Sequence, residues 1–148
     1  MKQERKGFTL VEIMIVVAII TTLAVLAISS MLRARMNANE MAAIAGSRSI
    51  TTGSQNYYAN SLPHTYAPSL ASLTSPTSNP PYIDGVLANG TRQGYLYTYE
   101  LVDPEHFTLN ADPESPGRTG SRHFFVDETG VMRANAQAKA SVGDTPVE

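Results

Sequence analysis

Cysteine is absent from the 148 residues, so no disulfide can staple any part of the fold and stability has to come from packing. Charge is scarce at 16%, with a formal net charge of −2, and it is unevenly placed. Residues 1–35 hold five Lys/Arg against two Glu, whereas the remainder holds six against eleven Asp/Glu. An acidic remainder argues against a general nucleic-acid surface. Catalytic patterns are weak too. Ser121, His123 and Asp127 lie close in sequence but lack a Gly-x-Ser-x-Gly elbow, and on a strand Ser121 and His123 would share a side without a defined base geometry. His64, His106 and His123 show no metal-ligand spacing. Hard oxygen donors suited to Ca²⁺ occur at Asp103-Pro104-Glu105, Asp112-Pro113-Glu114 and Asp127-Glu128, with Asp112, Glu114, Asp127 and Glu128 the candidate ligands. Solvated loop charge is the simpler account of them. The composition therefore points away from an enzyme, and no cofactor is expected.

One further scarcity is local. Between Phe8 and Leu32 the only ionisable side chain is Glu12. These 25 residues make about 37 Å of helix at about 1.5 Å per residue, enough to span about 30 Å of hydrocarbon. A basic leader, residues 1–7 with Lys2, Arg5 and Lys6, precedes them and favours an N-terminus that stays in the cytoplasm. A secretory signal would have a shorter apolar core with a small-residue cleavage site after it, and no carboxylate at its start. A carboxylate inside an apolar helix costs a few kcal/mol unless it is partnered, which marks Glu12 as functional.

The order Gly7-Phe8-Thr9-Leu10-Val11-Glu12, followed by the long apolar run, resembles the processing motif of type IV prepilins and type II secretion pseudopilins. The resemblance covers residues 5–32. It implies that a membrane peptidase cleaves between Gly7 and Phe8, that the new amino terminus of Phe8 is methylated, and that the helices pack into the core of a fibre. It further implies that Glu12 pairs with the Phe8 ammonium of its own or a neighbouring chain and sets assembly register. The implied partners are other copies and pilin-like subunits, the prepilin peptidase/methyltransferase, the inner-membrane assembly platform and the membrane itself, with no nucleic acid. The implied location is the bacterial inner membrane before assembly, and a periplasmic pseudopilus or an extracellular pilus afterwards. A reading of another class is a ligand-binding module on an uncleaved anchor, which would have no need of the Gly7-Phe8 junction. Family members often carry a proline in the second half of the apolar segment; Ser29-Ser30 stand there in this chain and can bend a helix by bonding back to carbonyls.

The remaining chain reads as α+β: a long N-terminal helix whose first half spans the membrane, with a small antiparallel sheet packed on its second half. Residues 8–32 are the membrane or fibre-core helix and 33–59 its amphipathic continuation, with Met36, Ala38, Met41, Ala42, Ile44, Ala45 and Ile50 at mixed spacings of three and four. Residues 60–94 form a loop in which Tyr66-Ala67-Pro68-Ser69-Leu70-Ala71-Ser72-Leu73 resembles a pilin segment with a short helical turn. Asp84-Gly85 and Asn89-Gly90 are turn signals there. Asn89-Gly90-Thr91 also fits a glycosylation acceptor, though Asn-Gly is foremost a hairpin pair. Residues 95–133 make the sheet, with strands at 95–101, 107–111, 123–127 and 131–133. Tyr95, Tyr97 and Tyr99 share one face, as core packing more than as a stacking platform or electron path. Residues 134–148 are expected to be a loose tail.

Overall fold

A computed structural model describes residues 7–74 and 80–147. The leader up to Lys6, part of the 74–81 loop and Glu148 lie outside the described residues. The chain divides into two compact units, Met1–Ala34 and Arg35–Glu148, and helix α1 (Leu10–Asn60) contributes residues to both.

In the first unit α1 is apolar all round. Its richest 18-residue window has a mean hydropathy of 2.7 and no part of that window is buried within the chain. By length and composition this helix can cross a membrane. The hydroxyls on it are satisfied locally: Thr21 donates to the Val17 carbonyl at 2.9 Å, Thr22 to Ala18 at 2.8 Å and Ser30 to Ala27 at 3.0 Å. That matters where no water is available. The helix runs through Ser29-Ser30 without interruption, because back-bonded serines leave the backbone donors in place.

In the second unit α1 is covered on one side. Glu40, Ala43, Ile44, Gly46, Ser47, Ile50, Thr51, Gly53 and Ser54 are buried at three- and four-residue steps. The apolar residues at 33–59 were only partly a guide: Ile44 and Ile50 are in this stripe, whereas Met41 is 64% exposed and Ala38 and Ala45 are exposed. The covered face is marked by small size more than by hydrophobicity.

Six antiparallel strands follow in the order of the sequence: β1 (Thr91–Arg92), β2 (Tyr95–Asp103), β3 (His106–Pro113), β4 (His123–Asp127), β5 (Arg133–Asn135) and β6 (Thr145–Pro146). Alternation sends Tyr95, Tyr97, Phe107, Leu109, Ala111, Phe124 and Val126 into one core with Ile50, Leu73 and Leu87. The tyrosine row is therefore packing. Burial pushes the phenols of Tyr97 and Tyr99 up to about 12, and Tyr99 stacks on Phe107 with centroids 5.3 Å apart.

The segment between helix and sheet is more structured than a loop. Leu70–Leu73 form the expected turn of 3-10 helix. Asp84, read as a turn residue, instead caps a one-turn helix α2 (Gly85–Ala88) by accepting from the Leu87 amide at 2.8 Å. Asn89-Gly90 ends that helix, and the hairpin turn falls at Gln93-Gly94, where φ is +48° and +74°.

Of the expected loose tail, residues 134–147 are described, and they take part in two further strand pairings. β5 pairs two residues later than expected, Phe125 with Arg133 and His123 with Asn135, and β6 pairs with β5. The shift arises because Gly130 turns the chain at φ +74° and Met132 then enters the core. The loop between β5 and β6 closes on Asp144, which accepts from the Ser141 amide and hydroxyl and from Asn135 Nδ2. These bonds, the Ser141 amide foremost, hold its carboxyl below the usual range.

Gly46 shows how narrow α1 has to be. A Cβ there would collide with the Tyr97 hydroxyl and stand 3.2 Å from Leu87 Cδ2. Gly46→Ala should lose about 1–3 kcal/mol of unfolding free energy in urea, although alanine is the better helix former by about 1 kcal/mol. Gly143→Ala, where a Cβ meets open space, should stay within about 0.5 kcal/mol of the parent.

Candidate functional site

Gly7 and Phe8 precede α1 as exposed, irregular chain; nothing lies within 4 Å of where a Gly7 Cβ would be, and Phe8 is 84% exposed. Thr9 and Glu12 then start the helix reciprocally. Glu12 Oε2 accepts from the Thr9 amide and from the Thr9 hydroxyl, both at 2.8 Å, and Thr9 Oγ1 accepts from the Glu12 amide at 3.3 Å. This is a Thr-x-x-Glu capping box, which satisfies otherwise unpaired donors at the end of an apolar helix. It also moves the helix start to Leu10 from the expected Phe8. The carboxylate of Glu12 thus has a partner in its own chain, and its other oxygen is not engaged in these bonds.

Residues 2–30 match the family of the prokaryotic N-terminal methylation motif. The chain carries a prepilin-type N-terminus. That segment is the class III signal peptide of type IV pilins and pseudopilins, which are structural proteins and not an enzyme family. It agrees with the α+β, pilin-like architecture and fits a membrane-anchored protein. No curated protein and no solved structure matches the chain.

The second unit does not gather the other candidate residues. Asp112 Oδ1 accepts from His123 Nδ1 at 2.7 Å across β3 and β4, while Asp127, four residues along β4, holds Thr129. Four strand residues separate them by about 13 Å. Glu128 Oε1 is 4.0 Å from His106 Nε2, and Glu114 is tied only by its amide, which donates to Gly94. Among the described residues no three His, Asp or Glu side chains come together as a metal site. Ser121 and His123 likewise turn to different partners, so no nucleophile and base meet.

Ser121 is bound instead to Glu40, a residue that the sequence reading passed over. Glu40 is 5% exposed on α1. Its Oε1 accepts from the Ser121 amide at 2.8 Å and hydroxyl at 2.7 Å, and its Oε2 accepts from Arg122 Nε at 2.8 Å. Next to it Asn39 Nδ2 donates to the Thr119 carbonyl at 2.8 Å, and the Tyr95 hydroxyl donates to the Arg122 carbonyl at 2.9 Å. Together they fasten the segment before β4 to the helix. A glutamate three residues before Ala43 and four before Ile44, on the buried stripe, was the available signal.

Burial alone would raise the Glu40 carboxyl, but the bonds from Ser121 and Arg122 outweigh it and hold it below its ordinary value. A lowered folded value means that this stabilisation is complete above the ordinary carboxylate range and is lost as the pH falls through it. The Asp103–His106 contact at the β2–β3 tip has the opposite sign for the imidazole. The Asp103 carboxylate holds His106 above its ordinary value, so that contribution is lost as the pH rises. Glu40→Ala should destabilise the second unit by about 2–4 kcal/mol, because Arg122 and the Ser121 amide lose their acceptor. Denaturation at pH 7 and pH 3.5 checks this: the gap between parent and variant should shrink at the lower pH.

Proposed function

We propose that this chain is a subunit of a type IV pilus or a type II pseudopilus, made as a precursor, cut between Gly7 and Phe8, methylated on Phe8 and polymerised through α1. The observation that carries the reading is that the methylation motif leads into an apolar helix that finds no cover within its own chain. Side chains such as Ile13, Ile20, Leu26 and Met31, each more than half exposed, need lipid before assembly and other helices after it. The inner membrane supplies the first and neighbouring subunits the second.

Glu12 has a role in both states. In the membrane the Thr9 amide and hydroxyl offset its desolvation. After cleavage an ammonium on Phe8 stands within one helical turn, and a carboxylate has lone pairs for it beyond those that Thr9 uses. The same group on a neighbouring chain would fix the axial register of an incoming subunit. The leader can be removed without disturbing the cap, since Thr9 and Glu12 both lie after the cut.

The N-terminal residue and mass of the protein from its own cells test the processing. The expected chain starts at Phe8 and is about 14 mass units heavier than its unmodified sequence, from one methyl group. A chain that still starts at Met1 would overturn the reading and favour a binding module on a static anchor. Glu12→Ala should be cleaved normally yet yield at least tenfold less pelletable fibre; unchanged yield would remove the charge-pairing role.

A further inference from the structure

A cleft of about 300 Å³ lies in the second unit between α1 and the β4–β5 hairpin. Arg48, Thr51, Thr52 and Gln55 form one wall, and Val126, Gly130 and Met132 the other. Positions 48, 52 and 55 are spaced to share one edge of the helix. Val126 and Met132 are 2% and 5% exposed and give the cleft an apolar floor.

The polar side of this cleft is rich in donors. Among the described residues Arg48 makes no ion pair, unlike Arg92 with Asp84 and Arg122 with Glu40. Gln55 Nε2 reaches the Glu128 carbonyl only at 3.5 Å, the outer limit of a hydrogen bond, and is free to turn. Thr51 has its hydroxyl hydrogen committed to the Ser47 carbonyl, which leaves Thr52 as the available hydroxyl donor. Among the described residues no carboxylate lines the cleft. In residues 36–148, where eleven Asp/Glu face six Lys/Arg, such a place is a local inversion of charge. The larger cleft on the other side of the sheet has mixed walls, with Asp127, Glu128 and Lys139 together, and selects no single chemistry.

We propose that the Arg48 cleft binds a carboxylate carried on a short aliphatic stem. The guanidinium fork takes the two oxygens, the Thr52 hydroxyl and the Gln55 amide add one donor each, and the stem lies on Val126 and Met132. Gly130, at φ +74°, turns the chain at the mouth of the cleft. A free dicarboxylate and an acidic side chain of another copy present the same chemistry. The site does not depend on whether the chain polymerises.

Amide and side-chain NMR shifts of the full ¹⁵N-labelled chain in detergent micelles test it with two probes. One is succinate; the other is a peptide of residues 100–106, the acidic β2–β3 tip. Saturable shifts at Gln55 and Gly130 with succinate would assign a small carboxylate, and shifts with the peptide alone would assign another copy. In either case Arg48→Gln should weaken binding at least tenfold, Arg48→Lys less, and Arg92→Gln not at all. Thr52→Val, expected to weaken binding several-fold, keeps the test decisive if Arg48→Gln does not fold. Absence of shifts with both probes, or shifts that Arg48→Gln and Thr52→Val leave unchanged, would overturn the proposal.

Discussion

On its covered face between residues 43 and 54 the helix has room for almost nothing, because the rings of the sheet and the segment before it descend to its backbone. Gly46 lies under Tyr97 and Gly53 under Ile83 and Tyr82, while Ser47 and Ser54 are fully buried. Glycine costs a helix about 1 kcal/mol relative to alanine, so this half of α1 has little stability of its own. It is helical because a sheet lies on it. The first half has the opposite character: large Ile, Val and Leu side chains with no partner in the chain, stable as helix in any apolar surrounding. One helix thus answers to two solvents, and the change of side-chain size along it marks where one replaces the other.

Carboxylates do matching work in the two halves. Glu12 and Glu40 each accept a main-chain amide and a hydroxyl, from Thr9 and from Ser121. The first closes the start of a helix over three residues, and the second ties residues 81 apart. In both cases the carboxylate is needed as an acceptor of several hydrogen bonds at once, which neither an apolar residue nor an alanine can replace. Glu40 has a cation beside it, the Arg122 guanidinium, which also lies over the Phe124 ring at 5.4 Å.

Features written in neighbouring residues were legible in the sequence: the Gly7–Glu12 motif, the apolar span and the alternation of β2, β3 and β4. The turn chemistry was legible only in part. Asp84-Gly85 has the composition of a turn but the geometry of a helix cap, and once 85–88 is helical, Asn89-Gly90 must terminate it and the hairpin moves to Gln93-Gly94. The end of the chain was missed for a related reason. Residues 134–147 are poor in large apolar groups, and their order comes from strand pairing and from hydrogen bonds to Asp144 and Asn135, which no hydrophobic pattern announces. The Glu40 tie and the Arg48 cleft depend on which side of a helix meets a distant hairpin. Charge in the sequence marks the residues but not the meeting.

The sheet begins and ends in strands of two residues, Thr91–Arg92 and Thr145–Pro146. A long bare edge would offer its unpaired amides and carbonyls to any neighbouring chain. Here the β6 border carries a proline that has no amide to give, whereas β1 pairs only with Tyr95 and Leu96 and, among the described residues, leaves 97–103 of β2 without a strand partner on that side. The sheet is therefore closed to strand addition at its β6 border and keeps a free stretch of β2 at the other.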